Sequence, residues 1–163
     1  MARPVIGVCV IWLGLLACAT HLRAQVWTSD GTLWEDAIQQ APLKPRPWIN
    51  VGLAREQRGD WPGALAAYQT ALALAPQPRL SPYQQRFSHV ASLTNIARVL
   101  AQTGHEPEAE QLLRQLVEQY PRFPHVNFNL AVLLAKTGRC EAGQRYGDLA
   151  RQLEPAFPAY QCP

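Results

Sequence analysis

Three observations on this 163-residue chain predict an all-α solenoid of paired helices. A 34-residue period relates the windows 45–78, 90–123 and 124–157. Within it, small residues and helix breakers share columns: Gly52, Ala97 and Ala131; Gly59, Gly104 and Gly138; Pro76, Pro121 and Pro155. Between the breakers, apolar residues recur at helical spacing, as in Leu93, Ile96 and Leu100 and again in Leu112, Leu113 and Leu116. Each column has a mechanical cause. The glycines fall where a first helix must stop and reverse, a position that wants positive φ. The small residues, with Ala64, Ala109 and Gly143 on the second helices, let two backbones approach closely. The prolines follow Ala71, Leu116 and Ala150 by about a turn and end each second helix. The expected fold is therefore about three helix-turn-helix repeats plus an N-terminal half repeat, preceded by a hydrophobic signal or anchor helix.

From the amino terminus, residues 1–24 form the first unit. Val5 to Ala19 is an uncharged apolar run, preceded by Arg3 and followed by Thr20, His21, Leu22 and Arg23. That is the pattern of an export signal, and it is shorter than the roughly 20 residues that span a bilayer comfortably. Processing at Ala17-Cys18-Ala19 or Leu22-Arg23-Ala24, retention as an anchor through residues 5–19, and acylation of Cys18 in a lipobox-like Leu15-Leu16-Ala17-Cys18 all stay open. Cleavage is placed ahead of anchoring, and lipidation after both. The expected location is the bacterial periplasm or the extracytoplasmic face of the membrane.

Residues 25–44 are a linker and a capping helix. Leu33, Trp34, Ala37 and Ile38, followed by Pro42, fit the second helix of a repeat whose first helix is missing. Such a helix covers the apolar side of the one carrying Trp48, which the first unit of a solenoid otherwise exposes. Repeats 45–78, 90–123 and 124–157 follow, making one repeat domain over 45–157. The segment Arg79 to His89 is an insertion in which Ser81 and Pro82 read as an N-cap and first helical residue, so one long helix is expected from about Pro82 to Gln102. In the third repeat Asn127 takes the large aromatic slot, and Gly143 and Gly147 thin the second helix at roughly 1 kcal/mol each against alanine. Residues 158–163 form a tail.

The period and columns resemble the tetratricopeptide repeat, a helix-turn-helix unit of this length. Repeat one carries the fullest match, with Trp48, Gly52, Gly59, Asp60, Ala64, Tyr68, Ala71 and Pro76. A second resemblance covers residues 20–52. Thr20, Arg23, Trp27, Leu33, Trp34, Asp36, Pro42, Lys44, Pro45, Arg46 and Asn50 look like the junction between the last membrane helix and the extracytoplasmic repeats of multispanning glycosyltransferase-like proteins. That resemblance implies an uncleaved apolar run, without the transferase's own catalytic membrane domain.

Composition bounds the function. The net charge of +3 falls to +1 once Arg3 and Arg23 are set aside, and the other basic residues are interspersed with acids. No phosphate-tracking stripe is present, which speaks against nucleic acid. There is no HExxH, Gly-rich phosphate loop, GxSxG or CxxC, so neither an enzyme nor a cofactor is expected. His21, His89, His105 and His125 are scattered and set no metal site. Glu106, Glu108 and Glu110 sit in a first helical turn, where they complement the helix dipole. Cys140 and Cys162 are the two cysteines outside the apolar segment, an even number in an exported chain. A tail turned back at Pro155 and Pro158 has the reach to return Cys162 to the start of the helix that Cys140 opens. A disulfide is expected there.

In the tetratricopeptide family the first helix of each pair faces the inner groove. The resemblance therefore implies that Asn50, Asn95 and Asn129 point into it, like the asparagine ladder of O-linked N-acetylglucosamine transferase. Their amides suit the main chain of an extended peptide, or they tie each first helix to its neighbour. Arg46, Leu53, Gln57, Thr94, Arg98, Gln102, His125, Phe128, Val132 and Lys136 are expected around them. Arg46, Arg98 and Lys136 would make the groove mildly basic and suited to a carboxylate. Two functions follow as expectations. One is an exported, non-enzymatic module binding a peptide or partner protein; the other is an accessory, membrane-associated subunit of an envelope glycosyltransferase or assembly complex.

Overall fold

The computed structural model describes residues 2–160 and 162, and for residues 2–6 and 9 the backbone alone. The side chains of Arg3 and of the start of the apolar run, and Gln161 and Pro163 of the expected tail, lie outside the described residues. Among the described residues there is no strand. The helices are α1 (Ala2–Gln25), α2 (Asp30–Gln40), α3 (Pro45–Gln57), α4 (Trp61–Leu74), α5 (Pro82–Gln102), α6 (Glu106–Gln119), α7 (Pro124–Lys136) and α8 (Cys140–Leu153), with a 3-10 turn at Val26–Thr28. Each of α2 to α8 packs on its neighbours in the chain. The first helices of successive repeats, α3, α5 and α7, also touch side by side.

Local chemistry sets the helix ends. Asp60 caps α4 by accepting from the Gly63 backbone N–H at 2.9 Å. At α5, Ser81 and Gln84 form a reciprocal box: the Ser81 hydroxyl accepts from the Gln84 N–H and the Gln84 side chain accepts from the Ser81 N–H. Pro82 opens the helix. The first helices end alike, with φ of 75° at Gly59, 85° at Gly104 and 77° at Gly138. This left-handed turn lets the next residue's N–H reach back to the last helical turn, from Asp60 to Arg55, His105 to Leu100 and Arg139 to Leu134 at 2.8–2.9 Å.

Two apolar clusters hold the repeats together. One gathers Val90, Ala97, Leu113, Leu116, Val126, Leu130 and Leu134; the other Ile49, Ala64, Tyr68, Ala71 and Val99. The Tyr68 ring is fully buried and lies flat where α3 passes, so a Cβ on Gly52 would stand 2.4 Å from it. The small column of repeat one thus exists for this ring. In the aromatic slot, the Trp48 indole N–H donates to the Pro42 carbonyl at 2.9 Å. Asn127, in the same column two repeats on, donates to the Pro121 carbonyl at 2.9 Å and is fully buried. The smaller residue keeps the polar bond and gives up the ring.

At the amino end α2 packs along α3, with Leu33, Trp34, Ala37 and Ile38 half-buried. The side chains of α1 from Val10 to Leu16 are exposed, and the stretch Val10–Thr28 is long and apolar enough to cross a membrane. The Arg23 guanidinium grips both Asp36 oxygens at 2.6 and 2.8 Å, tying the end of α1 to α2.

The carboxyl end corrects one expectation. Gly143 and Gly147 are buried and do not merely thin α8. The Tyr160 side chain lies on both: a Cβ on Gly147 would meet the Tyr160 Cβ at 2.3 Å, and one on Gly143 the Tyr160 hydroxyl at 2.5 Å. That hydroxyl lies 3.1 Å from the carbonyl oxygens of both Ala131 and Cys140, within donating distance. Cys140 and Cys162 are joined, their Cα atoms 5.4 Å apart. The tail therefore covers the α7–α8 pair, where a solenoid would otherwise expose a face meant for another helix.

Candidate functional site

The concave face is laid down by α3, α5 and α7. It holds two adjoining hollows, of about 410 Å³ over α3 and α5 and about 310 Å³ over α5 and α7, which share Arg98, His125 and Asn129 as lining. The first is bordered by Arg46, Asn50, Leu53, Thr94 and Asn95, and the second by Gln102, Phe128, Val132 and Lys136. The expected groove residues are thus brought together, with one exception. Gln57 is exposed in the last turn of α3 and borders neither hollow.

Further residues line the face, among them Ile49, Phe87, Ala91, Phe123 and Phe157. A signal for Phe87 and Ala91 was present, because positions 87, 91, 94 and 98 share one helical face once the helix is extended through the insertion. Together with Tyr83 and Phe128 these aromatics form a row. Ring centres lie 6.2 Å apart from Tyr83 to Phe87, 5.8 Å to Phe123 and 6.5 Å to His125. Phe157 then meets His125 edge-on at 4.8 Å and Phe128 at 5.0 Å.

The asparagine column is chemically divided. The Asn50 amide donates to the Arg46 carbonyl at 3.0 Å and the Asn129 amide to the His125 carbonyl at 2.8 Å, each within its own helix. One amide N–H and the oxygen of each stay available. Asn95, 9% exposed, has no hydrogen-bond partner among the described residues, and its amide atoms reach the surface of the hollow. The Thr94 hydroxyl is consumed by the Val90 carbonyl at 2.7 Å.

The expected basic character is largely cancelled. Arg98 pairs with Glu56 at 2.8 Å and lies 3.5 Å from the Tyr68 hydroxyl. Lys136 pairs with Glu106 at 2.9 Å and donates to the Ala101 carbonyl. Only Arg46, exposed at the start of α3, lacks an ion pair among the described residues of this set. Burial, and next the Glu56 charge, push the Tyr68 phenol well above its ordinary value, so it stays neutral. Lys136 and the Glu106 backbone N–H hold the Glu106 carboxyl below its usual range. The lining left to meet a guest is apolar and amide, with one cation. Among the described residues no three potential metal ligands come together.

Two family models described as tetratricopeptide repeat match the chain, one over residues 55–127 and one over residues 32–77, together more than half of it. No curated protein matches. Among solved structures the chain is similar to YrrB, a TPR protein with an unusual peptide-binding site, at 15% identity and a TM-score of 0.40 over 88% of this chain and 84% of that one.

Proposed function

This chain belongs to the tetratricopeptide repeat family, and we propose that it is an exported, non-enzymatic module that receives a segment of a partner protein across α3, α5 and α7. Members of this family serve as protein–protein interaction modules. The observation that carries the groove reading is the open apolar hollow of about 410 Å³ with the unpartnered Asn95 amide in its wall. An amide that offers both donors and an acceptor can satisfy a guest's main chain without reading its sequence, while the apolar wall supplies the affinity. Export is supported by the exposed apolar α1 and by the Cys140–Cys162 pair, since disulfides persist in oxidising compartments.

The test is to pan the full-length protein in detergent micelles against a random short-peptide library. Enrichment that Asn95→Ala and Leu53→Asp abolish supports the groove. Enrichment untouched by both, or none at all, refutes it.

A second reading is that the chain is a membrane-held accessory subunit of an envelope glycosyltransferase or assembly complex. It is favoured by the Arg23–Asp36 bridge, which joins two residues of the junction-like segment and fixes the end of α1 on the first helix of the solenoid. Intact-protein mass spectrometry showing α1 retained, with co-purification of a membrane transferase, supports it. A mature chain beginning after Ala24 overturns it.

A further inference from the structure

We infer that the guest of this groove is a partner segment in which an aromatic side chain is flanked by prolines; this rests on the groove reading above. The chain already seats the ring of one such segment on itself, with the prolines beside it exposed. After α8 the backbone turns, with the Phe157 N–H donating to the Glu154 carbonyl at 3.0 Å. That turn delivers Phe157, which lies between Pro155 and Pro158, onto the rings of His125 and Phe128.

The row of rings does not stop at His125. It runs on through Phe123 and Phe87 to Tyr83, bordering the larger hollow, and no described residue of the tail lines that hollow. Phe87 is 42% and Tyr83 74% exposed, an apolar surface left to water. The vacant stretch thus presents the same kind of surface as the filled one.

The polar groups agree with a proline-flanked guest. The donors left open include the Asn95 amide, one amide N–H each of Asn50 and Asn129, and the Arg46 guanidinium, and Arg98 and Lys136 are already paired with Glu56 and Glu106. Proline supplies a carbonyl and no N–H, so such a segment gives these donors acceptors and brings few donors of its own. Its backbone is pre-ordered and loses little freedom on docking against aromatic walls. An acidic segment would find only Arg46 to pair with.

The probe is the chain's own tail sequence supplied in trans. A fluorescein-labelled peptide EPAFPAY, matching residues 154–160, is titrated with the oxidised full-length protein in detergent micelles and read by anisotropy against empty micelles. Saturable binding is expected, weakened about tenfold when the peptide phenylalanine becomes alanine and by a similar factor in Phe87→Ala. Replacing both peptide prolines by alanine is expected to weaken it several-fold. Phe87 is more than half covered, so Phe87→Ala is expected to lower the thermal midpoint somewhat, and circular dichroism checks that the variant stays folded at the assay temperature. Equal affinity for the proline-free peptide overturns the inference. So does absence of binding while the random library still enriches peptides, which leaves the groove reading standing; failure of both sinks both. Self-association abolished by Phe157→Ala would make a second copy the guest and also overturn it.

Discussion

Replacing Gly147 with alanine sets two effects of opposite sign against each other. Helix propensity alone favours alanine by about 1 kcal/mol in the middle of α8. Against this, the new Cβ would stand 2.3 Å from the Tyr160 Cβ and 2.4 Å from its Cγ. Those atoms are the root of the side chain, so the clash moves the tail backbone, which Cys162 pins to Cys140. Overpacking of this kind costs about 1–3 kcal/mol. The expected net effect in the oxidised protein is therefore a loss of up to about 2 kcal/mol. In a Tyr160→Gly background, which removes both the Cβ and the Cγ, the clash is gone and the same change is expected to stabilise by about 1 kcal/mol. The assay is urea unfolding of the four proteins of the cycle, followed by circular dichroism. A coupling equal to the overpacking penalty, roughly 1–3 kcal/mol, is the signature. If Gly147→Ala stabilises both backgrounds equally, Tyr160 does not occupy its seat and the account of the tail is wrong.

Gly52→Ala places a Cβ 2.4 Å from the fully buried Tyr68 ring, and a loss near 3 kcal/mol is expected in thermal unfolding; an unchanged midpoint would contradict that packing. Alkylation with mass spectrometry should leave Cys140 and Cys162 unlabelled until reduction, and reduction should lower stability by roughly 3 kcal/mol for a sequence separation of 22. Labelling of both before reduction would show the bridge absent. Glu106 and Glu110 have carboxyls held below the ordinary 4.5, by Lys136 and by Arg139 first. The unfolded chain therefore binds these protons first as the pH falls. Their contribution is complete above the ordinary value and is lost as the pH drops through the lower folded values. The thermal midpoint should fall on acidification below about pH 5, and Glu110→Gln should flatten that limb; an identical acid limb in the variant would refute it.

The repeat architecture was legible because its determinants are local. A glycine at positive φ, a proline at a helix start and an apolar stripe each act over a few residues. That is why the long helix from Pro82 and all three glycine turns stand where the sequence placed them. Gly143 and Gly147 do cost helix propensity, but they are also the seat of Tyr160, which went unread: the two cysteines signalled the tail's return, while which of its side chains lands on α8 is set by packing that spacing does not encode. Asn127 was read as a lost aromatic. Its real partner, the Pro121 carbonyl, becomes visible only when Trp48 is seen donating to Pro42 in the equivalent place.

The groove shows the same division between local and distant determinants, and there it changes the chemistry. The family resemblance implied that Arg98 and Lys136 face the groove, and they line its hollows. It did not reveal that Glu56 reaches Arg98 from the preceding repeat, 42 positions away, or that Glu106 reaches Lys136 from the α6 turn. A cation shared with a neighbouring carboxylate has little charge left for a ligand, and breaking the pair to bind one would leave an acid unpaired. Repeat-to-repeat ion pairs therefore convert a face that reads as basic into one whose remaining handles are rings and amides. The same pairs tie α3 to α5 and α6 to α7. Replacing Glu56 with glutamine would free Arg98 and loosen that joint together, and a guest's affinity would then report on both.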